Sequence, residues 1–600
     1  MPATTTDFTR LFDLIPYQSA KYPNQRAMNF FSNGAWRAFA IDDIQRRIDA
    51  VSCWFVKNGF LKGECVLLVP LNGTPEWVIL DLACQQVGLV TVPVHPSAQP
   101  KELETIVNQT ESKICITTQE AFPVFQGLIE QINPAASVWH IEPLLPGYFD
   151  PLGLLDADVS ELAQVNEIKS GMTEHDIASI LYTSGSSGEP KGAVLTHQNI
   201  IHNIKSILSI LTLEPHDRAI SFLPFSHIME RTTTYAYLAF GVSIYFSSGR
   251  ENFERDFRTV RPLCCTCVPR VLEKMYDYLQ EQLLSEIFLK KMLIRWAIGV
   301  GKRYKEDKRI GFWYGAQLFL ARILVLRQWR KVLGGKIKYI AVGAAALRPD
   351  IARLLAAAGI QVAEGYGMTE TSPLISMNRF EPGLNRFGTV GLAIPGVDIR
   401  IDHPVAGEEG EIWVKGPNVM KGYFKNPALT TEVFTPDGWF KTGDIGKIVH
   451  HRFLEITDRK KEIFKTSAGK YVAPRPLQNH FTSSPFVQRC LIIGFQRPYV
   501  TALIVPHFKI LETWCGKEGI HWTSGEFMVH NIKVKARLKR EIDELNEALP
   551  NFQRIRGFFL CPTDWQIEKQ ELTHTLKPVR RVLELHYKNE IDKLYEKTEK

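Results

Sequence analysis

The chain has 600 residues, of which 45% are hydrophobic and 22% are charged, and its formal net charge is +7. This composition excludes a disordered chain, a collagen-like repeat and a coiled coil as descriptions of the whole molecule. No run of about 18 uninterrupted apolar residues predicts a membrane span, and the N-terminal residues lack the pattern of a secretory signal. The ten cysteines follow no disulfide spacing, so we expect a reducing, cytoplasmic environment.

Alternating apolar and helical segments predict a parallel sheet in the first part of the chain. Residues 66–71 and 89–94 are apolar runs typical of buried strands, and residues 77–86 between them have a helical pattern. The same β-α-β alternation recurs over residues 336–367. Because parallel strands need a crossover helix between them, this pattern indicates an α/β fold.

A basic segment stands out in the middle of the chain. Residues 287–331 contain twelve Lys and Arg against two acids, a net charge of +10, which leaves about −3 for the rest of the chain. Apolar and aromatic residues are interleaved at near-helical spacing, among them Trp296, Trp313, Tyr314, Phe319 and Trp329. Two interpretations stay open: a helix packed on the core with a solvated basic face, or a surface that meets anionic membranes. No base-reading motif supports nucleic acid binding.

The character of the sequence changes in its last third. From residue 388 to residue 458, short strand-like runs are separated by Gly and Pro turns, which predicts a small β-rich subdomain. After a charged turn, mixed α/β patterning returns, with a charged helical stretch over residues 532–548. We therefore predict a large domain over residues 1–458 and a smaller α+β domain over residues 459–600.

The most informative segment is a glycine-rich loop over residues 179–192. An apolar strand precedes it and a helical pattern follows, with Thr196 as a candidate N-cap. Glycines let backbone N–H groups approach an anion closely, hydroxyls donate to phosphate oxygens, and a lysine adds positive charge. The Walker A spacing is absent. The pattern favours a polyphosphate site over a plain surface loop, and its members are Thr183, Ser184, Gly185, Ser186, Ser187, Gly188, Lys191 and Gly192.

Four further motifs follow in order. They are Glu364-Gly-Tyr-Gly-Met-Thr-Glu-Thr-Ser-Pro373, Gly438-Trp-Phe-Lys-Thr-Gly-Asp444, the charged run 458–470, and Leu572-Thr-His-Thr-Leu-Lys577. Together with the loop they resemble the core motifs of the adenylate-forming superfamily, which includes acyl-CoA synthetases and luciferases. Within it, residues 223–231, 268–274, 334–347 and 497–506 are similar to long-chain fatty acyl-CoA synthetases.

The resemblance implies an α/β fold with a large N-terminal adenylate-forming domain of stacked subdomains and a mobile C-terminal domain. It also implies a two-step reaction in which a fatty acid and ATP give acyl-AMP and pyrophosphate, and CoA then takes the acyl group. Mg²⁺ is expected with ATP, held by Glu370 and the Thr183 hydroxyl, because a carboxylate is a hard oxygen ligand. Membrane contact through residues 287–331 is implied as well.

The resemblance also implies roles for individual residues. Tyr366 would stack on adenine, and Asp444 and Arg459 would bind the ribose. The other nucleotide-binding positions are Ser184, Gly185, Ser186, Ser187, Gly188, Lys191, Glu364, Gly365 and Thr369. Lys577 would contact the carboxylate and the α-phosphate during adenylation, His227 would lie near the acyl pocket, and Lys461 would be the hinge.

Each of these roles has a structural alternative. Tyr366 and His227 would then be core residues, and the acids and bases would be surface charges. Cys264, Cys265 and Cys267 are close enough in sequence to suggest a metal cluster, but no histidine stands at ligand spacing nearby. We interpret these three cysteines as buried small apolar residues.

Several positions depart from the family pattern. Ala344 and Val342 replace a glycine and a serine, Gln478 stands where glutamate is common, His574 replaces a proline, and Pro578 follows Lys577 directly. None removes a charged catalytic group. From the resemblance we predict a long-chain fatty acid–CoA ligase. Its alternatives are a fatty acyl-AMP ligase that serves a carrier protein, a ligase for another carboxylic acid, and a catalytically silent nucleotide- or acyl-binding protein.

Overall fold

The fold was analysed in a computed structural model. It describes residues 7–70, 73–141, 159–184, 189–247, 249–276, 288–305, 311–405, 409–460, 462–467, 470–573 and 577–596. Among the predicted site residues, Gly185, Ser186, Ser187, Gly188 and Lys461 lie outside these ranges, as does His574.

The described residues form strands that belong to five sheets. The strands are β1 (Met28–Ser32), β2 (Ala35–Phe39), β3 (Cys65–Val69), β4 (Val90–Pro93), β5 (Ile114–Thr117), β6 (Ser137–His140), β7 (Ile177–Ser184), β8 (Pro190–Thr196), β9 (Arg218–Ser221), β10 (Ser243–Phe246), β11 (Cys264–Cys267), β12 (Tyr339–Val342), β13 (Gln361–Gly367), β14 (Leu374–Met377), β15 (Leu392–Ala393), β16 (Asp398–Val405), β17 (Glu409–Lys415), β18 (Gly422–Tyr423), β19 (Phe440–Val449), β20 (Phe453–Arg459), β21 (Phe464–Lys465), β22 (Tyr471–Val472), β23 (Val487–Ile493), β24 (Thr501–Pro506) and β25 (Gly557–Leu560).

Helices cover these sheets. They are α1 (Leu14–Lys21), α2 (Ile41–Lys57), α3 (Pro75–Gln86), α4 (Pro100–Thr110), α5 (Phe122–Ile132), α6 (Val159–Ser170), α7 (His197–Ile210), α8 (Ile228–Phe240), α9 (Phe253–Val260), α10 (Phe288–Lys302), α11 (Phe312–Ala321), α12 (Arg327–Val332), α13 (Pro349–Ala357), α14 (Pro427–Val433), α15 (Pro474–Phe481), α16 (Phe508–Lys517), α17 (Gly525–His530), α18 (Ile532–Glu547), α19 (Arg580–His586) and α20 (Lys588–Glu596).

Two large sheets form the N-terminal domain. One has nine strands in the order β15-β14-β13-β12-β11-β9-β10-β1-β2, and the other has seven in the order β18-β8-β7-β4-β3-β5-β6. The pairs β3–β4 and β12–β13 are parallel, which confirms the predicted β-α-β units. Because parallel strands end at the same edge of a sheet, the loops at their carboxyl ends meet in one place.

A buried ion pair joins the second sheet to helices α3 and α8. Arg231 of α8 donates to both carboxylate oxygens of Asp81 in α3, each at 2.7 Å, and to the hydroxyls of Thr91 and Ser179 at 3.0 and 2.8 Å. Both charged residues are only 1% exposed. A buried charge needs such complete pairing because its desolvation is costly. The network fixes β7, which leads into the glycine-rich loop, against α8.

The predicted β-rich subdomain is a four-stranded antiparallel sheet in the order β16-β17-β19-β20. A smaller C-terminal domain follows, in which β23 and β24 pair antiparallel and β24 and β25 pair parallel. The predicted charged helix over residues 532–548 is α18. Large N-terminal and small C-terminal domains of mixed α/β structure therefore match the predicted fold class.

The basic segment is helical in its described part. Helices α10, α11 and α12 form it, and a π-helical turn over Arg322–Leu326 joins the last two. Leu326 and Trp329 are buried in the core of the first sheet, as the packing interpretation predicts. Phe312, Trp313 and Phe319, however, are 81%, 79% and 62% exposed. Among the described residues, no helix is long and apolar enough to cross a membrane.

Candidate functional site

A cleft of about 3030 Å³ opens where several parallel strands end, and side chains of the C-terminal domain close one side of it. Ligand sites of α/β proteins lie at this edge of the sheet. The cleft brings together predicted residues from the whole length of the chain. Those that line it are Thr183, Lys191, His227, Glu364, Gly365, Tyr366, Thr369, Glu370, Asp444, Arg459 and Lys577.

The described residues on either side of the glycine-rich loop belong to two neighbouring strands, β7 and β8, called here the β7–β8 hairpin. Strands β7 and β8 pair antiparallel, so that Thr183 lies opposite Lys191. The Thr183 hydroxyl donates to the Lys191 carbonyl at 3.5 Å. The sequence placed a helix after the loop, and that helix is α7, with Thr196 as its N-cap as predicted, but strand β8 comes between them. The hairpin presents a hydroxyl and an ammonium group on neighbouring strands.

Tyr423 is a residue of the cleft that the sequence analysis missed. Its hydroxyl donates to Glu370 Oε1 at 2.8 Å, and Lys191 Nζ lies 5.8 Å from the centre of its ring. The short strand β18 puts it there by pairing with β8, so that Tyr423 lies opposite Ala193. Tyr423 therefore links the β7–β8 hairpin to Glu370. A pairing between segments more than 200 residues apart leaves no local signal in the sequence.

Tyr366, Asp444 and Arg459 form a hydrogen-bonded triplet on β13, β19 and β20. Asp444 and Arg459 are direct partners across the β19–β20 pair, and Arg459 Nε donates to Asp444 Oδ1 at 3.0 Å. The Tyr366 hydroxyl donates to Asp444 Oδ2 at 2.8 Å. The Asp444 side chain is only 6% exposed, whereas Arg459 is 53% exposed. The pair therefore offers a fixed carboxylate and a solvent-facing guanidinium to one ligand.

Glu364 supports the loop that follows β12. Its Oε2 accepts a hydrogen bond from the backbone N–H of Leu347 at 3.0 Å, and its Oε1 has no partner among the described residues. Burial raises the pKa of this carboxyl to about 7. The carboxyl is thus poised between its charged and neutral forms near neutral pH, and it ties the residues around Ala344 to β13.

Lys577 reaches the cleft from the C-terminal domain. The backbone N–H of Thr573 donates to the Lys577 carbonyl at 2.8 Å, and the Lys577 N–H donates to the Thr573 hydroxyl at 3.1 Å. Burial, and after it the nearby positive charges of Arg459 and Arg475, lower the pKa of Lys577 to about 8. Lys577 lines the same cleft as Asp444 and Arg459.

The positions of His227, Gly365 and the three clustered cysteines complete the description of the predicted residues. His227 is the N-cap residue of α8, and its ring centre lies 6.4 Å from that of His95. At Gly365 a Cβ atom would lie 3.0 Å from Leu374 Cδ1, so the glycine allows close packing beside the cleft. Cys264, Cys265 and Cys267 are buried in β11 without disulfides, which confirms their interpretation as apolar core.

The residues present fit a Mg²⁺ ion that is shared with a nucleotide. No group of three or more His, Cys, Asp or Glu side chains in the described ranges is placed to hold a metal alone. Glu370 and the Thr183 hydroxyl lie on the same cleft as Lys191. Mg²⁺ is usually held by one or two carboxylates together with substrate phosphates. A single carboxylate, Glu370, on the same cleft as the β7–β8 hairpin is compatible with that donor set.

Ala344 is held in a conformation that favours glycine. Its φ is +68°, within the left-handed region. A side chain in this region costs roughly 1–2 kcal/mol. The departure noted from the sequence, alanine where the family pattern has glycine, is therefore a point of backbone strain in the loop beside Glu364.

We predict that Ala344→Gly stabilises the protein. The relief of strain exceeds the greater chain entropy of glycine, which costs about 0.5–1 kcal/mol, so the free energy of unfolding should rise by roughly 0.5–1 kcal/mol. Ala345→Gly is the matched control, because Ala345 does not have a positive φ, and it should lower the free energy of unfolding. Urea unfolding measures both, and shifts in the same direction would contradict the strain argument.

Solved structures share this fold. ATP-bound MatB from Rhodopseudomonas palustris superposes with a TM-score of 0.69 at 22% identity, covering 97% of this chain and 99% of that one. A Mycobacterium tuberculosis fatty acyl CoA synthetase gives a TM-score of 0.63 at 18% identity, with coverage of 97% and 99%. At these identities the likeness shows a common architecture.

Sequence comparison identifies the family. A long-chain-fatty-acid–CoA ligase, FadD15 of Mycobacterium bovis, is 30% identical over 573 residues, which cover 94% of this chain and 93% of that protein. Long-chain-fatty-acid–CoA ligase 1 of Homo sapiens is 31% identical over 546 residues, or 87% of this chain and 77% of that protein. The family model described as AMP-binding enzyme matches residues 15–424, and the one described as AMP-binding enzyme C-terminal domain matches residues 461–599. The chain belongs to the AMP-binding enzyme family.

Proposed function

We propose that the protein is an AMP-forming long-chain fatty acid–CoA ligase. The observation that carries this proposal is that Lys577 of the C-terminal domain shares one cleft with Lys191, Glu370, Asp444 and Arg459. The positive side chains of this cleft suit the phosphates of a nucleotide, and Lys577 is placed to assist attack of a carboxylate on the α-phosphate. The names of the long-chain-fatty-acid–CoA ligases to which the chain is similar support a fatty acid as the substrate.

The first step joins the acid to AMP. A carboxylate oxygen attacks the α-phosphorus of ATP, and the bond between that phosphorus and the oxygen bridging to the β-phosphorus breaks, so that pyrophosphate leaves. Lys191 and the β7–β8 hairpin bind the phosphates, and Asp444 and Arg459 bind the ribose. Glu370 and Thr183 would hold Mg²⁺, which when bound would neutralise charge on the phosphate oxygens.

Lys577 acts where charge develops in this step. Its ammonium contacts both the substrate carboxylate and the α-phosphate, two anions that repel each other as they approach. A preorganised positive group at that point stabilises the transition state more than the ground state. Tyr423 positions Glu370, because its hydroxyl fixes one carboxylate oxygen.

The second step transfers the acyl group to CoA. The CoA sulfur, as a thiolate, attacks the acyl carbonyl carbon, and AMP leaves with the pair of electrons of the broken C–O bond. The protein needs no cysteine nucleophile, because CoA supplies the sulfur, and all ten cysteines of the chain are buried. In this proposal the C-terminal domain, over residues 459–600, turns about Lys461 between the two steps and withdraws Lys577.

A second proposal concerns the basic segment, which would bind anionic membranes from one side. Phe312, Trp313 and Phe319 are exposed side chains in the part of the chain with the highest positive charge. Aromatic side chains insert into the headgroup boundary, and bases add attraction to anionic lipids. Such contact would give the enzyme access to fatty acids in a bilayer.

Product analysis tests the activity. Purified protein with Mg·ATP and C8–C18 fatty acids should give acyl-CoA only when CoA is present, as measured by mass spectrometry. Acyl-AMP without acyl-CoA would assign the protein to acyl-AMP ligases instead. Conversion of an aromatic or branched acid but none of the fatty acids would assign it to ligases for another acid. The absence of any product from both acid sets would contradict an adenylating activity.

The titration of Lys577 predicts a pH profile. Because the pKa is about 8, the lysine is charged below pH 8 and loses its charge above it. We expect kcat/KM for ATP in ATP–pyrophosphate exchange to fall as pH rises through about 8, since kcat/KM reports the free enzyme. Lys577→Arg should lack this falling limb, because a guanidinium stays charged. Identical profiles of the two proteins above pH 7 would contradict the role of Lys577.

Flotation with liposomes tests the membrane proposal. Replacing Arg295, Arg327 and Lys331 with Gln should weaken binding to anionic vesicles on the order of a hundredfold, at about 1 kcal/mol per base. The same replacement of Lys533, Lys535 and Arg540 on α18 is the control and should leave flotation unchanged. Equal flotation of the wild type and the first variant would exclude the segment as the contact.

A further inference from the structure

Helix α15 is the first helix after the hinge motif, and it lies at the boundary between the two domains. Three of its residues, Arg475, Pro476 and Asn479, line the same cleft as Lys577. Its two ends contact charged side chains that precede the hinge in sequence. Neither contact is part of the mechanism described above.

Asp458 contacts the N-terminus of α15. This residue lies near the end of β20, before the hinge, and it is fully buried. Its Oδ1 accepts from the backbone N–H of Arg459 at 2.7 Å, and its Oδ2 accepts from the backbone N–H of Arg475 at 3.4 Å. The helix has no cap of its own, because the side chain of the N-cap residue, Ala473, makes no capping hydrogen bond, and Pro474 has no N–H. Asp458 therefore acts as the cap from the other side of the hinge.

Arg348 contacts the opposite end of the helix. Its Nη1 donates to the carbonyl of Thr482 at 3.4 Å, and Thr482 is the C-cap residue of α15. Asp350 holds the guanidinium in place through contacts of 3.2 Å to Nε and 2.9 Å to Nη2. An acid at the N-terminus and a base at the C-terminus both complement the helix dipole.

The helix is coupled to the segment that carries Lys577. Gln478, in the middle of α15, accepts at Oε1 from the backbone N–H of Ile492 at 3.2 Å and from Arg580 Nη2 at 3.5 Å. Arg580 is three residues beyond Lys577 and also donates to the Ile492 carbonyl at 2.7 Å. Displacement of α15 therefore displaces the base of the loop from which Lys577 enters the cleft.

We propose that Asp458 and Arg348 are positioning residues that hold α15 by its two ends and so keep the C-terminal domain in the orientation that places Lys577 in the cleft. The inference rests on the proposed function, because it assigns this orientation to the adenylation step. Both interdomain hydrogen bonds measure 3.4 Å, longer than the usual N–H···O range. Contacts of this length are individually weak, which suits a clamp that must open when the domain turns.

The clamp predicts a selective loss of the first step. Arg348→Ala and Asp458→Ala should each slow ATP–pyrophosphate exchange by about three- to thirtyfold, the range expected for a charge at a helix end. The rate at which CoA takes the acyl group from added, preformed acyl-AMP should be unchanged or higher. Arg348→Lys keeps the charge and should recover part of the exchange rate. The Arg348 variants give the clearer test, because Asp458 also contacts the backbone of Arg459, the proposed ribose-binding residue.

The control is a helix cap within the C-terminal domain. The Ser524 hydroxyl accepts from the N–H of Phe527 at 3.2 Å at the start of α17. Ser524→Ala removes a cap without touching the domain boundary and should leave both half-reactions unchanged. A misfolded variant would lose both steps, whereas a variant with an open clamp keeps the second.

A distance measurement tests the clamp independently of activity. Spin labels at Val124 and Ile532, which are 59% and 83% exposed, report the separation of the domains by pulsed electron resonance. With ATP bound, each clamp variant should lose population at the wild-type distance. Wild-type distances and exchange rates in both variants would overturn the clamp and leave the proposed function standing. If the wild-type protein showed no ATP–pyrophosphate exchange, the proposed function would be overturned. The spin-label distances would still show whether Asp458 and Arg348 hold the domain orientation.

Discussion

The site depends on bringing a lysine from one domain into a cleft that already contains positive charge. Lys577 lies among Arg459 and Arg475, and its pKa of about 8 reflects burial and these two cations. The positive charges of these three side chains repel one another, and the nearby Asp444 and Glu462 offset this repulsion only in part. We expect an anionic nucleotide to relieve that repulsion, so that these positive charges favour ATP and the adenylation transition state.

The N-terminal domain supplies a rigid half of the cleft. The buried Arg231–Asp81 pair fixes β7 against α8, and these two elements carry Thr183 of the β7–β8 hairpin and His227. Tyr423 and Glu364 then hold Glu370 and the Leu347 loop in place. The C-terminal domain contributes Lys577 through a contact surface that uses helix ends and long hydrogen bonds. The N-terminal side of the cleft is thus held by buried contacts, whereas the C-terminal side is held by weak contacts that can break. This difference suits the two proposed steps, adenylation and acyl transfer, which need different groups in the cleft.

The fold could be predicted because its signals are local in the sequence, and most residues of the cleft could be predicted because they stand in motifs that resemble those of the family. The alternation of apolar runs predicted the β3–β4 and β12–β13 units, and Thr196 marked the start of α7. Tyr423 could not be predicted, because it reaches Glu370 through a two-residue strand that pairs with a distant segment. The strain at Ala344 depends on a backbone angle that composition does not determine. The roles of the lining residues stay predictions, and those of Gly185, Ser186, Ser187, Gly188 and Lys461 concern positions outside the described ranges.

The central claim is that Lys577 serves acyl-AMP formation and not acyl transfer. The most direct measurement separates the two half-reactions in Lys577→Ala, with formation of acyl-AMP followed in one assay and conversion of preformed acyl-AMP by CoA in the other. The account predicts a loss of at least about 10²-fold in the first, as for removal of other preorganised donors, and a nearly unchanged rate in the second. An unchanged rate of acyl-AMP formation, or an equal loss in both, would contradict it.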